Sequence, residues 1–155
     1  MIKSLQALLN NWNYGREVVK DFINLVSKAD LDKLFPRKYL NTIRKQCIEL
    51  IQIQQCYLSA INSGKMQFNT LPVEDITKLG LVTKMNKLDK QLLKLLECCS
   101  ESKTIIWHGE PWNIVQHFSA MISHEQMHIG QMVAFCYATG IEIPQKIVNL
   151  MALDG

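Results

Sequence analysis

The sequence predicts an all-α protein, folded as an up-down bundle of four long helices. Four segments place apolar residues at the three- and four-residue spacing of an amphipathic helix. The chain of 155 residues is 48% hydrophobic and 20% charged, which is ordinary for one globular domain with a substantial core. No repeat, low-complexity stretch or linker divides it, so residues 1–155 are predicted to form a single domain. Four such helices around one core are expected to pack as a bundle.

The first half of the chain predicts two of these helices. The first covers about residues 2–28, and Gly15 weakens it without breaking it. Residues 34–36 are expected to form a turn that lays apolar side chains over one end of the bundle. The second helix covers about residues 40–62 and stops at Gly64, because glycine is the residue that most often ends a helix.

The third helix falls within about residues 73–101, after a loop at residues 65–72. Its apolar spacing is strongest in the second half. Residues 104–107 are predicted to be a brief extended piece, and residues 108–111 a turn.

The last long helix is predicted to contain Pro111 in its first turn and to run to about Thr139. Gly140 is expected to cap its C-terminus, and Pro144 prevents any continuation. Residues 145–153 are predicted to form one short helix.

Charge and hydropathy limit the classes of partner that the protein is expected to bind. The formal net charge is +3 and basic residues are interspersed with acidic ones, so nucleic-acid binding is not predicted. Residues 1–5 lead straight into a helical pattern, without the apolar run and cleavage site of a signal peptide. No uninterrupted apolar run approaches the ~20 residues that span a bilayer. A cytoplasmic protein that does not bind membranes is therefore expected.

The five cysteines form no C-x-x-C pair. In a reducing compartment they are most simply interpreted as buried small hydrophobic residues, and a catalytic or redox-sensing thiol is the alternative. The five are Cys47, Cys56, Cys98, Cys99 and Cys136.

Two histidines on the last helix are the strongest functional signal. His124 and His128 are four residues apart, so they stand one above the other on one helix face and can bind one metal ion. That face is otherwise apolar, and two buried histidines are costly unless each finds a partner. A metal ion satisfies both, whereas the alternative is a pair of neutral, hydrogen-bonded core histidines. The apolar neighbours are Ile114, Phe118, Met121, Met132 and Phe135.

A third ligand should come from a facing helix at similar depth. Glu49 is an acidic residue within the apolar stretch of residues 47–51 on the second helix. Its position predicts either a third ligand or an ordinary boundary residue, and the spacing alone does not separate the two.

Two segments together resemble the DinB superfamily, which includes damage-inducible proteins and thiol-dependent transferases. Residues 46–61 read QCIELIQIQQCYLSAI, residues 124–131 read HEQMHIGQ, and residues 139–144 read TGIEIP. The likeness covers about residues 12–144, and the closing H-x-x-x-H-x-G-Q is its most specific part.

The resemblance implies a metal centre and a reaction class. In the family a histidine on the second helix joins the two on the last helix around a divalent ion, usually zinc or nickel. Glu49 stands at that position here, which is a departure from the family pattern. The ligand set of Glu49, His124 and His128 still suits zinc or nickel, and also iron or manganese.

The implied function is a metal-dependent transferase or hydrolase. It would use a low-molecular-weight thiol or water on a small-molecule electrophile, and the catalytic groups beyond the metal ligands are unknown. The alternative is a metal-free stress-response or binding bundle without catalysis. The apolar stripes are wide enough for a homodimer, although they do not fix the oligomeric state.

His124 and His128 also match the H-E-x-x-H motif of zinc peptidases, with Glu125 as general base. No convincing third ligand follows, because Glu142 lies beyond the helix-ending Gly140. A mostly helical chain also lacks the strand that would hold an extended peptide. A peptidase is therefore the less favoured alternative, and Glu125 is expected to form an ion pair or to support the site from its flank.

Other polar and aromatic residues near the motif are predicted to have supporting roles. His117 stands seven residues before the paired histidines, ~10 Å along the axis. It is too far to share their ion, so we expect a boundary histidine rather than a group that supports the site or contacts substrate. His108 is expected to be solvated, and Tyr57 and Trp112 to serve packing. Gln131 is predicted to hydrogen-bond near the site.

Overall fold

The computed structural model describes residues 1–100 and 102–153. Within them lie six helices and a two-stranded sheet, so the structure is predominantly helical as predicted. In chain order they are α1 (Lys3–Leu25), α2 (Lys28–Leu31), α3 (Ile43–Ser63), α4 (Lys78–Cys98), β1 (Thr104–Trp107), β2 (Glu110–Asn113), α5 (Ile114–Thr139) and α6 (Gln145–Met151). No helix in this described part has the length and apolar character needed to cross a membrane.

Side-chain caps define where the long helices begin. Thr42 caps α3 by accepting a hydrogen bond from the Lys45 N–H, and Gly64 ends that helix in the left-handed conformation, at φ 74°. Thr77 caps α4 in the same way, by accepting from the Gly80 N–H. This helix falls within residues 73–101, as predicted. Residue 101 itself lies outside the described residues.

A short β-hairpin corrects the prediction for Pro111. This residue lies in β2 opposite Ile106, and α5 begins after it, at Ile114. Asn113 caps α5 by accepting from the Gln116 N–H, and the Gln116 side chain accepts from the Asn113 N–H. This reciprocal cap satisfies two N–H groups for which the start of a helix offers no backbone acceptor.

The hairpin turn is built by two residues with positive φ. His108 has φ 47° and Gly109 has φ 92°, which matches the twist of a two-residue hairpin turn. The predicted extended piece at residues 104–107 is β1, while part of the predicted turn at residues 108–111 belongs to β2.

Four long helices bury a common apolar core. α1 packs against α5, α4 and α3, and α3 packs against both α4 and α5. The short helix α6 packs on α1. Fully buried members of the core include Phe22, Ile23, Ile51, Leu92 and Phe118. The contact between α3 and α5 matters most for function, because these helices carry the predicted metal ligands.

The turn at residues 34–36 covers the core with one of its two apolar side chains. Phe35 is buried, with its ring centroid 4.3 Å from that of Phe135 on α5. Leu34 instead lies in solvent, with 67% of its surface exposed. The prediction for this turn is therefore half correct.

The cysteines are free thiols in different environments. Cys47, Cys56 and Cys136 are buried, as predicted, but Cys98 is exposed and Cys99 is half-buried. Burial raises the pKa of the Cys47 thiol to about 12 and that of Cys136 to about 11. Since the thiolate is the reactive form, these two side chains are inert packing groups.

Candidate metal centre

The three predicted ligands converge between α3 and α5. Glu49 on α3 and the pair His124 and His128 on α5 each offer one ligand atom, and these three atoms lie within 4.8 Å of one another. The two imidazole rings stand edge to face, with their centroids 4.7 Å apart. Glu49 therefore lies beside the two histidines, and its role as a ligand stays a prediction.

Two atoms of this cluster lack a hydrogen-bond partner although they are buried. They are Glu49 Oε2 and His128 Nε2, for which the described residues supply no partner. These atoms lie 3.6 Å apart, too far for a hydrogen bond. Two ligands of one tetrahedral ion, each ~2.1 Å from it, are ~3.4 Å apart. An ion between them would satisfy both atoms with little movement.

Gln46 fixes the orientation of His128. Its Oε1 lies 3.1 Å from His128 Nδ1, while its Nε2 donates to the carbonyl oxygen of Leu40 at 3.4 Å. Because the amide NH₂ is used on Leu40, Oε1 accepts from the Nδ1–H of the imidazole. The lone pair of Nε2 then faces Glu49, as metal binding requires.

Gln46 is a residue of the candidate site that sequence reasoning missed. It is completely buried and stands three residues before Glu49 on the same face of α3. A glutamine inside an apolar stripe, one turn from a candidate ligand, was the available signal.

Burial sets the protonation of the cluster. It lowers the pKa of His124, and together with the charges of His124 and Arg37 it lowers the pKa of His128 to about 4. Burial also raises the pKa of Glu49, an effect that Arg37 opposes. The imidazoles are therefore neutral at neutral pH, which is the form that binds a metal ion.

Arg37 is a second residue that sequence reasoning missed. This half-buried side chain donates from Nη1 to Gln131 Oε1 at 2.7 Å. Gln131 thus makes a hydrogen bond close to the cluster, in line with its prediction. Arg37 belongs to an irregular loop, whose path over α5 no periodicity could indicate.

Glu125 lies in a different cluster from its two histidine neighbours. Its Oε2 is 2.8 Å from Arg16 Nη2, and Arg16 also donates to Gln54 Oε1 at 3.1 Å and lies 3.4 Å from Asp89. Burial raises the pKa of Glu125 to about 7, against the opposing effect of Arg16. The predicted ion pair is confirmed, and Glu125 is not among the three clustered ligands.

His117 is a buried structural residue and not the boundary histidine that we predicted. Trp107 Nε1 donates to His117 Nδ1 at 2.8 Å, and His117 Nε2 donates to the Tyr57 carbonyl oxygen at 3.0 Å. Burial lowers the pKa of His117 to about 4, so the ring is neutral. It ties the hairpin to α3.

The remaining predictions for polar and aromatic residues near the motif hold. His108 is exposed in the hairpin turn. Tyr57 is a buried packing residue, and Trp112 stacks on Trp107 with ring centroids 4.7 Å apart.

No family model and no curated protein matches this chain. Inference about function therefore starts from the side chains of the cluster.

Proposed function

We propose that this protein is a DinB-like four-helix bundle that holds one divalent metal ion through Glu49, His124 and His128. The observation that supports it is the convergence of three ligand atoms within 4.8 Å, two of them buried and unpaired. Zinc or nickel suits two imidazoles and a carboxylate best, and iron or manganese is compatible with them. A divalent ion bound there would supply Lewis acidity to a thiol or water that occupies its open position.

The side chains around the ligands prepare the site for that ion. Gln46 holds His128 in the tautomer that presents Nε2, so that ring has no rotamer or proton to rearrange on binding. Glu49 contributes one negative charge, which offsets part of the charge of the ion. The carboxylate is also partly open to solvent, with 26% of its side-chain surface exposed, whereas His128 is 1% exposed. The open coordination position is therefore expected on the Glu49 side.

The reaction class that we propose is transfer of a low-molecular-weight thiol, or of water, to a small electrophile. The DinB-like motif and the ligand set support this reaction class. The proposed location is the cytoplasm, and the proposed assembly is a homodimer. Glu125 gives no support to a peptidase, because its carboxylate is engaged with Arg16 at 2.8 Å.

Metal analysis of protein purified without an affinity tag tests the proposal. We expect about one divalent ion per chain in the native protein, and none above background in Glu49→Ala or His124→Ala. His108→Asn is the matched control, because it removes an exposed histidine and asparagine tolerates the positive φ of that turn. Native protein without stoichiometric metal, whose melting temperature is unchanged by a chelator, would contradict the proposal and favour a metal-free bundle.

A further inference from the structure

The loop before α3 places an arginine beside the candidate metal centre. Arg37 donates to Gln131, and its guanidinium carbon lies 5.9 Å from the centroid of the Phe135 ring. Gln131 and Phe135 follow His128 by three and seven residues on α5, so they continue the face that carries the ligand pair. The guanidinium therefore lies beside this face, within two helical turns of the cluster.

Contacts at both ends hold this loop in place. At one end the Phe35 ring packs on Phe135. At the other, the Leu40 carbonyl oxygen accepts from Gln46, the residue that orients a metal ligand. The position of Arg37 is thus set by the contacts of its loop neighbours.

Arg37 carries a charge that no acidic side chain neutralises. Among residues 1–100 and 102–153 its side chain forms no ion pair within 4.0 Å and makes one hydrogen bond, to the neutral amide of Gln131. Through that hydrogen bond the guanidinium lies beside Gln131, one helical turn after His128 on α5. A guanidinium has five N–H donors in a planar fork, so donors remain for an incoming oxyanion.

The charge balance of the loaded site favours the same kind of ligand. A divalent ion beside one carboxylate and two neutral imidazoles leaves a net positive charge, to which Arg37 adds. Since the ion and the guanidinium attract the same sign of charge, a ligand that is anionic and small enough to lie between them gains from both.

We propose that Arg37 anchors an anionic group of the substrate, a carboxylate or a phosphate, while the substrate lies at the open side of the metal centre. This inference rests on the proposed function and names its substrate class: small electrophiles that carry a planar or tetrahedral oxyanion. Arg37 is then a specificity-determining residue, and the metal ligands do not depend on it.

Cobalt-loaded protein tests the inference, because the Co²⁺ absorption spectrum reports binding without any turnover. The probes are malonate, its uncharged analogue malonamide, and inorganic phosphate. We expect Arg37→Gln to weaken binding of malonate or phosphate by at least about tenfold, while malonamide is unaffected. Arg37→Lys should fall between, because it keeps the charge but loses the fork. The preferred oxyanion, malonate or phosphate, identifies the group that Arg37 receives.

Two controls separate this inference from the proposed function. Lys38→Gln removes the adjacent exposed charge and should change anion affinity by less than about twofold. Co²⁺ affinity should stay equal or rise in Arg37→Gln, because a repelling charge is removed. Equal anion affinity in native protein and Arg37→Gln, or loss of Co²⁺ in that variant, would overturn the role of Arg37 alone. Native protein that binds no Co²⁺ would overturn the proposed function as well.

Discussion

Helix α5 carries two buried polar clusters that differ in what balances their charge. In the ion-pair cluster, Glu125 meets its counter-ion within the chain, with Arg16 2.8 Å away. In the metal cluster, which begins one residue earlier at His124, the Glu49 carboxylate faces two neutral imidazoles and its Oε2 is unpaired. The comparison shows that the fold places a buried arginine, Arg16, beside the buried carboxylate of Glu125. Among the described residues no lysine or arginine lies within ion-pair distance of Glu49, and the proposed metal ion would supply its counter-charge.

The largest expected effect lies in the ion-pair cluster. Arg16→Met leaves Glu125 buried without its cation, so it should lower the free energy of unfolding by about 3 kcal/mol in urea titrations of metal-free protein. Lys20→Met is the matched control, because Lys20 pairs with Asp89 at 2.8 Å near the surface, and it should cost less than about 1 kcal/mol. Similar losses in the two variants would contradict this account.

The second-largest effect distinguishes the metal cluster from the ion-pair cluster by what a variant in each does to Zn²⁺ affinity. Gln46→Leu removes the acceptor that orients His128 and should weaken Zn²⁺ binding about 10–100-fold in a competition titration. Gln54→Leu removes a glutamine from the ion-pair cluster, where it accepts from Arg16 and donates to Asp89. It should reduce stability but leave Zn²⁺ affinity unchanged. If both variants lost Zn²⁺ equally, the two clusters would not be independent.

The third effect is opposite pH dependence. The pKa values of His117 and His128 fall to about 4 in the folded protein, so the unfolded chain binds more protons between pH 4 and 6.5 and their contribution to stability is lost as pH falls. The pKa of Glu125 rises from 4.5 to about 7, so its contribution is lost as pH rises from about 4.5 to 7, a range that overlaps that of the histidines. Each net proton corresponds to about 1.4 kcal/mol per pH unit.

Glu125→Gln removes the contribution of Glu125 to this pH dependence and leaves that of the two histidines. In native protein the decline due to Glu125 offsets part of the rise due to the histidines between about pH 4.5 and 6.5, so stability should rise more steeply with pH in the variant, measured on metal-free protein by urea unfolding. Equal slopes in native protein and variant over this range would show that Glu125 does not contribute to the pH dependence.

The smallest expected effect concerns the peptidase alternative. Glu125→Gln should change Zn²⁺ affinity by less than about twofold, and activity with an added thiol should survive, because Glu125 is not part of the metal cluster. Native protein that cleaves unfolded peptides, with cleavage lost in this variant, would favour the peptidase instead.

Local features of the sequence predicted the helices and the paired ligands. Apolar periodicity located the four long helices, and glycine at positions 64 and 140 marked two of their ends. Residue spacing alone placed His124 and His128 together, because both lie on one helix. Glu49 needed the DinB-like motif, since its depth relative to α5 is a property of packing.

Contacts between distant segments were beyond sequence reasoning. The hydrogen bond between Arg37 and Gln131 joins residues 94 positions apart, and Gln46 reaches His128 across 82 positions. The prediction placed Pro111 in the last long helix because proline is favoured in the first turn of a helix, which is a local preference. Its position in the hairpin depends instead on pairing with Ile106. His117 was misjudged because its partners, Trp107 and Tyr57, come from other elements.

Anomalous diffraction from crystals of the zinc-loaded protein tests the central claim most directly. The account predicts one peak at the zinc edge, about 2.0–2.2 Å from a carboxylate oxygen of Glu49 and from one imidazole nitrogen each of His124 and His128. The absence of a peak, or a peak elsewhere with the Glu49 side chain turned toward solvent, would contradict it.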